Sequence, residues 1–251
     1  MIRRGDVPGA MSADRYSRQT ALPDVGEEGQ ERLRRATVGV VGVGGLGSPV
    51  ALYLAAAGVG RLVLIDPETP ELSNLNRQVL HWTEDVGVNT KVRSAASKLR
   101  RLNPEVEVED RAVRLTAENV DDLLPYCDVV VDCLDSFPPR MVLNRFCVER
   151  GTPLVHGAVE GWHGQVTVVL PGRTPCLACL FPRSPEPRSV PIMGATAGAF
   201  GSIQAGEAIK LLTGTGEVLA SRLLIGDLQH HQWDVVDIAP AGRCQVCGEK
   251  R

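Results

Sequence analysis

The chain has 251 residues, 43% of them hydrophobic and 23% charged, a balance that fits a soluble globular fold and excludes disordered, collagen-like and coiled-coil chains. Its formal net charge is -3 and its Lys and Arg are dispersed, so it lacks the concentrated basic face of a duplex-binding protein. An aromatic content of 4% is also too low for a platform that stacks single strands, and nucleic acid is not expected as a ligand.

Residues 1–14 hold Arg3, Arg4, Asp6 and Asp14 without an apolar stretch, and are expected to be a flexible leader rather than a signal peptide. Residues 30–35 (QERLRR) read as a charged helical end. The following segment, 36–60, carries no charge and is long enough to cross a bilayer. Seven glycines and Pro49 interrupt it, and its first half is β-branched whereas its second is rich in Ala and Leu. A strand at 37–43, a glycine turn and a buried helix at 48–57 ended by Gly58 are expected there, with no membrane span. A second strand is predicted at 61–66. A helix at 91–102 is stopped by Asn103-Pro104, and a strand with one wet face follows at 106–109. Residues 128–134 (DVVVDCL) form a short apolar run suited to the middle of a parallel sheet. A helix at 140–150 and a strand beginning at 153–156 complete the alternating part.

Beyond that point the pattern changes. Residues 164–170 and 223–239 read as antiparallel strands, separated by a Pro-rich loop at 182–191 and a helix at 199–212 closed by Gly214. The predicted fold is therefore α/β: a Rossmann-like, doubly wound, mainly parallel sheet with antiparallel strands in the C-terminal third. No internal repeat or long linker divides it, so residues 15–248 are expected to form a single domain, placed in the cytoplasm.

Residues 42–47 (GVGGLG) fit G-x-G-x-x-G between a strand and a helix, where glycines let backbone approach a phosphate and the helix amino terminus offers free N–H groups. Gly42, Gly44, Gly45 and Gly47 are the candidate phosphate-binding glycines, and Asp66, ending the next strand, is placed to accept from ribose hydroxyls. Alone, these features also fit a nicotinamide- or flavin-dependent oxidoreductase, or tight helix–sheet packing with no ligand. Residues 73–78 (SNLNRQ), Lys91 and Asp135 add one amide, two cations and a carboxylate around the same turn. Hydride transfer has little use for so many phosphate-directed charges, whereas ATP cleavage needs Arg77 and Lys91 on phosphate oxygens and Asp135 on Mg²⁺.

Four of the seven cysteines form two C-x-x-C pairs, Cys176/Cys179 and Cys244/Cys247. Together they offer four thiolates to a closed, structural Zn²⁺ site; a redox dithiol and idle thiols are the alternatives. Cys127, Cys133 and Cys147 lie in strand or helix patterns and read as small buried hydrophobes. His81, His156, His163, His230 and His231 show no metal-ligand spacing and are expected to be structural or surface residues, with His230 and His231 on a strand and facing opposite ways.

On residues 15–19 (RYSRQ), 42–47, 73–78, Lys91, 132–135 (DCLD) and 201–205 (GSIQA), with the two cysteine pairs, the chain resembles the HesA/MoeB/ThiF adenylyltransferases, relatives of the ubiquitin-activating enzymes. The resemblance covers residues 15–248. It implies adenylylation, by ATP, of the C-terminal glycine of a small ubiquitin-like sulfur-carrier protein, with sulfur later supplied by a donor protein or sulfide. Asp66 would bind ribose; Asn74, Arg77, Gln78 and Lys91 the phosphates; Asp135 would be the catalytic carboxylate and Mg²⁺ ligand. Arg18 resembles the arginine that reaches the ATP of a neighbouring protomer, which implies a homodimer. The runner-up is a related adenylyltransferase acting on a non-protein carboxylate, of the tRNA-modification type. Three departures stand out: Ser136 where relatives have Asn, Glu68 where many have Asp, and a segment 181–194 without the cysteine that many relatives use for a covalent bond.

Overall fold

The computed structural model describes residues 15–183, 190–239 and 241–248. The expected leader, 1–14, lies outside them, as do residues 184–189 of the Pro-rich loop. Helices α1 (Ser17–Thr20) and α2 (Gly26–Arg35) lead into strand β1 (Thr37–Val41), helix α3 (Gly47–Ala57) and strand β2 (Arg61–Ile65). Short 3-10 turns at Leu72–Asn74 and Thr83–Asp85 connect to α4 (Lys91–Leu102), β3 (Glu107–Arg111), α5 (Val120–Leu123), β4 (Val129–Asp132) and α6 (Phe137–Arg150). The remainder comprises β5 (Leu154–Glu160), β6 (His163–Val169), α7 (Leu177–Leu180), α8 (Gly194–Thr213), β7 (Arg222–Asp227) and β8 (Gln232–Asp237).

Among the described residues, eight strands join one sheet in the order β3-β2-β1-β4-β5-β6-β7-β8. The first five run parallel, and β6, β7 and β8 continue antiparallel from β5. This is the α/β class expected from the sequence. Alternation along β2 separates two cores: Leu62 and Leu64 pack with Val50, Leu54, Val92 and Phe200 on the face covered by α3, α4 and α8. Val63 and Ile65 pack with Leu124, Leu143, Phe146 and Leu177 on the face covered by α5, α6 and α7. No helix among the described residues is long and apolar enough to cross a membrane.

Several boundaries move for physical reasons. Strand β1 stops at Val41 because Gly42 turns the chain at φ +90°. Helix α6 starts at Phe137, ahead of the expected residue 140, since Pro138 in the first turn forfeits only an N–H that would have no intrahelical partner. Helix α8 starts at Gly194 rather than 199 and ends on Gly214 in the left-handed conformation. The segment 223–239 divides into β7 and β8, and His230 and His231 form the turn between them, not a strand. His231 takes φ +56° there, and His230 Nδ1 lies 2.7 Å from Asp227 Oδ2.

Candidate active site

Parallel strands β1 and β4 are neighbours, with Val41 paired to Asp132, so the loops after them emerge side by side at the carboxyl edge of the sheet. A Cβ on Gly42 would lie 2.6 Å from Cys133 O, and one on Gly47 would lie 1.9 Å from Gly42 O. Those two glycines are required by backbone packing alone. Gly44 and Gly45 face side chains instead: Gln78 Nε2 is 3.5 Å from the Cβ position of Gly44, and Arg77 Cγ 3.6 Å from that of Gly45. No side chain caps α3. The Ser48 N–H donates to Gly44 O at 3.0 Å, the Val50 N–H to Leu46 O at 3.2 Å and Pro49 has none, so it is the amides of the glycine turn just ahead of the helix that are left for solvent or an anion. Gln78 is buried and its Oε1 has no partner, an orphaned acceptor beside the turn.

Asp66 is also buried, and its carboxylate ties the end of β2 to the turn. Oδ2 accepts from the Val43 N–H at 2.8 Å and Oδ1 from the Glu68 N–H at 2.9 Å. Burial raises its pKa, and the nearby Lys91 ammonium opposes that rise. Lys91, the first residue of α4, is itself buried and reaches Glu68 Oε2 at 2.6 Å. The Arg77 guanidinium hooks back onto Ser73 O and Asn76 Oδ1, each at 3.0 Å. Asn74 spends its side-chain oxygen on the Glu71 N–H at 3.0 Å, and its carbonyl accepts from the N–H groups of Arg77 and Gln78. Its side chain braces the segment that carries Arg77.

Asp135 lies three residues beyond β4, in the loop leading to α6. It is exposed, and its side chain has no partner among the described residues. The loop that carries it is held from beneath by residues the sequence reading did not assign to the site. Asp132, wholly buried, accepts from Arg140 Nε at 2.8 Å, from His156 Nδ1 at 2.7 Å and from the Leu134 N–H at 3.1 Å. Burial alone would raise the Asp132 pKa, but Arg140 and His156 hold it below the ordinary value. Arg140 also donates to Leu134 O and Gly157 O, and Gln204 Nε2 donates to Asp132 O at 2.8 Å. The one signal available beforehand was a carboxylate inside an apolar run, which demands a partner; which partner depends on the register of β4 with β5.

Arg18 stands apart from this group. It is exposed on α1, which packs against the carboxyl-terminal end of α3, opposite to the glycine turn. The four C-x-x-C cysteines do converge, with all Sγ atoms within 4.8 Å of one another. Cys176 and Cys244 are 3.7 Å apart and Cys179 and Cys247 3.5 Å. Four thiolates at about 2.3 Å from a tetrahedral Zn²⁺ stand roughly 3.8 Å apart, so the donor set fits that ion. Of the remaining thiols, Cys133 and Cys147 are buried and Cys127 partly so; burial raises the pKa of the first two and pushes that of Cys127 to about 12.

Residues 16–246 match the model of the ThiF family. The chain belongs to that family. It is 47% identical to the "SAMP-activating enzyme E1" of Haloferax volcanii, covering 96% of this chain and 90% of that protein. It is likewise 47% identical to the "Sulfur carrier protein adenylyltransferase" of Thermus thermophilus, over 94% of this chain and 91% of that one. As a family member with these relatives, it is an enzyme of the adenylyltransferase class. Among solved structures, E. coli MccB with ATP superposes with a TM-score of 0.83 at 24% identity, over 96% of this chain and 76% of the other, a likeness of fold.

Proposed function

We propose that this family member uses ATP to adenylylate the C-terminal carboxylate of a small ubiquitin-like sulfur-carrier protein ending in Gly-Gly. The observation that carries the reading is the gathering of Asp66, Arg77, Gln78 and Lys91 around a glycine turn at an uncapped helix amino terminus. The printed names of its near full-length relatives support the same reaction class.

In this proposal the turn amides and Lys91 take the phosphates, and Arg77 exchanges its contacts with Ser73 and Asn76 for phosphate oxygens. Asp66, already fixed by two amides, keeps a second lone pair on each oxygen for ribose hydroxyls. Gln78 presents its unpartnered oxygen beside the turn, and Asn74 braces the segment. Exposed Asp135 would hold Mg²⁺, which supplies charge neutralisation at the phosphates. The carrier carboxylate, with a pKa of roughly 3.5, is ionised at neutral pH and needs no general base. It attacks the α-phosphorus, the bond to the bridging oxygen breaks, pyrophosphate leaves and an acyl-adenylate remains. Catalysis thus reduces to aligning two anions and stabilising the leaving charge. Sulfide then displaces AMP to give a thiocarboxylate directly; sulfur delivered as the persulfide of a donor protein displaces AMP to give an acyl disulfide, which a second thiol reduces to the thiocarboxylate with formation of a disulfide.

Residues 15–248 act in this reading as one cytoplasmic catalytic domain, with the four cysteines holding a structural Zn²⁺. The place of Arg18 supports a homodimer: α3 separates it from its own glycine turn by a helix of 11 residues, or about 16 Å, more than its side chain can bridge. ATP–pyrophosphate exchange tests the function. Exchange should require a carrier with an intact C-terminal Gly-Gly and vanish when the last glycine is removed; exchange driven equally by a small carboxylate would overturn the carrier assignment.

A further inference from the structure

Helix α1 is four residues long with no side-chain cap, too short to hold itself in water. Two side chains hold it. Tyr16, 5% exposed, lies on Gly58, where a Cβ would come within 2.6 Å of its ring and where φ is +83°. Its hydroxyl accepts from Asn103 Nδ2 at 2.8 Å and donates to Glu105 Oε2 at 3.1 Å. Gln19 Nε2 donates to Ala57 O at 2.9 Å and to Gln30 Oε1 at 2.7 Å. Gln30 donates to the same Ala57 carbonyl, and fully buried Asn103 donates to Ala55 O. At the last turn of α3 the Ala57 carbonyl is thus taken up by Gln19 and Gln30, and the Ala55 carbonyl, which also accepts from the Gly58 N–H, by Asn103, a polar cluster that grips α1.

Tyr16 and Gln19 are three residues apart and dock on the same surface. Arg18, between them, is exposed and forms no side-chain hydrogen bond or ion pair among the described residues. The cluster thus fixes the backbone of an arginine that its own chain does not use. We propose that Tyr16 and Gln19 are positioning residues that aim Arg18 at the nucleotide site of a second copy of this chain. The proposal rests on the function proposed above and deepens it, by naming what sets the geometry of the residue supplied in trans.

The test uses mixed dimers after demonstrated subunit exchange. Gln19→Leu removes the amide and leaves an apolar side chain of similar bulk; Tyr16→Phe keeps the ring on Gly58 and removes the hydroxyl. Each homodimeric variant should lose about ten- to a hundredfold in ATP–pyrophosphate exchange, the scale of a misplaced catalytic group. Mixed with an Asp135→Ala chain, each should regain activity, because one of the two sites then has both an intact Asp135 and a correctly held Arg18. Mixed with an Arg18→Ala chain, neither should, because both sites lack a usable Arg18. A merely structural defect would damage the variant's own nucleotide site and give no recovery with Asp135→Ala. That result, recovery with Arg18→Ala, or wild-type activity in both variants would overturn the proposal. Arg18→Ala mixed with Asp135→Ala is the control: failure there removes the role of Arg18 in trans, whereas success there with failure of the Gln19 and Tyr16 pairs removes only the positioning role. If Gln19→Leu does not fold, Tyr16→Phe decides.

Discussion

Asp135 is exposed and bonded to nothing among the described residues, so its loss costs the fold little. Asp135→Ala should abolish ATP–pyrophosphate exchange while leaving the thermal unfolding midpoint unchanged; near-normal exchange would remove it from the mechanism. Arg77→Ala and Lys91→Ala should each lose on the order of 10²-fold, as deletion of one preorganised charge does. The thiols lead to a different expectation. Cys133 and Cys147 are buried, with pKa values raised by that burial, so neither offers the exposed thiolate that a thioester or acyl disulfide requires. Enzyme, ATP and carrier run on a non-reducing gel should give no band at the summed mass. A reductant-sensitive band lost in Cys133→Ala or Cys147→Ala would contradict this. His81 carries a pH signature. Its Nε2–H donates to Val43 O at 2.8 Å and its Nδ1 accepts from Ser94 Oγ at 3.0 Å, and burial lowers its pKa to about 4. Between that value and 6.5 the unfolded chain binds a proton that the folded chain does not, so stability falls as pH drops. Between pH 7 and pH 5 this one group should cost about 2 kcal/mol. Urea melts should show that His81→Phe loses correspondingly less over the same interval, and an unchanged pH profile would refute the assignment.

Helix α7 and the cysteine pair near residue 246 are short, and neither has enough regular structure to stabilise itself. The thiolate cluster joins them across the molecule, from Cys176 and Cys179 to Cys244 and Cys247. Elemental analysis should find one zinc per chain. Cys179→Ser or Cys247→Ser should release it with a fall in unfolding temperature, since metal binding to such sites is linked to folding by on the order of 10 kcal/mol. Zinc-free protein purified without chelators would contradict the assignment. The motif 201–205 gains its reason at this level too. A Cβ on Gly201 would lie 2.5 Å from Pro49 Cγ, so α8 can cross α3 closely, while Gln204 reaches through to the carbonyls of Asp132 and Val155. One helix thereby braces both the glycine turn and the ends of β4 and β5.

In the whole molecule, Arg18 lies at the far end of α3 from its own glycine turn, and the homodimer proposed above would have composite sites. An Arg18→Ala chain mixed with an Asp135→Ala chain should regain activity, because one site of each mixed dimer escapes both lesions. Absence of recovery despite subunit exchange would place Arg18 outside catalysis in the partner.

Periodicity and spacing were sufficient for the parallel half of the sheet, the glycine turn and the cysteine pairs. These features are local: a strand, a turn that only glycine can make and a helix lie within some twenty residues of one another. The buried support of the Asp135 loop was not legible in the same way. Arg140, His156 and Gln204 are distant from Asp132 by 8, 24 and 72 positions and meet it only after β4 has paired with β5 and α8 has packed across them. The grip of Tyr16 and Gln19 on the end of α3 is of that kind as well. Local chemistry fixes which backbone conformations a segment can adopt, whereas the pairing of a buried polar group is set by which segments the closed core brings against it.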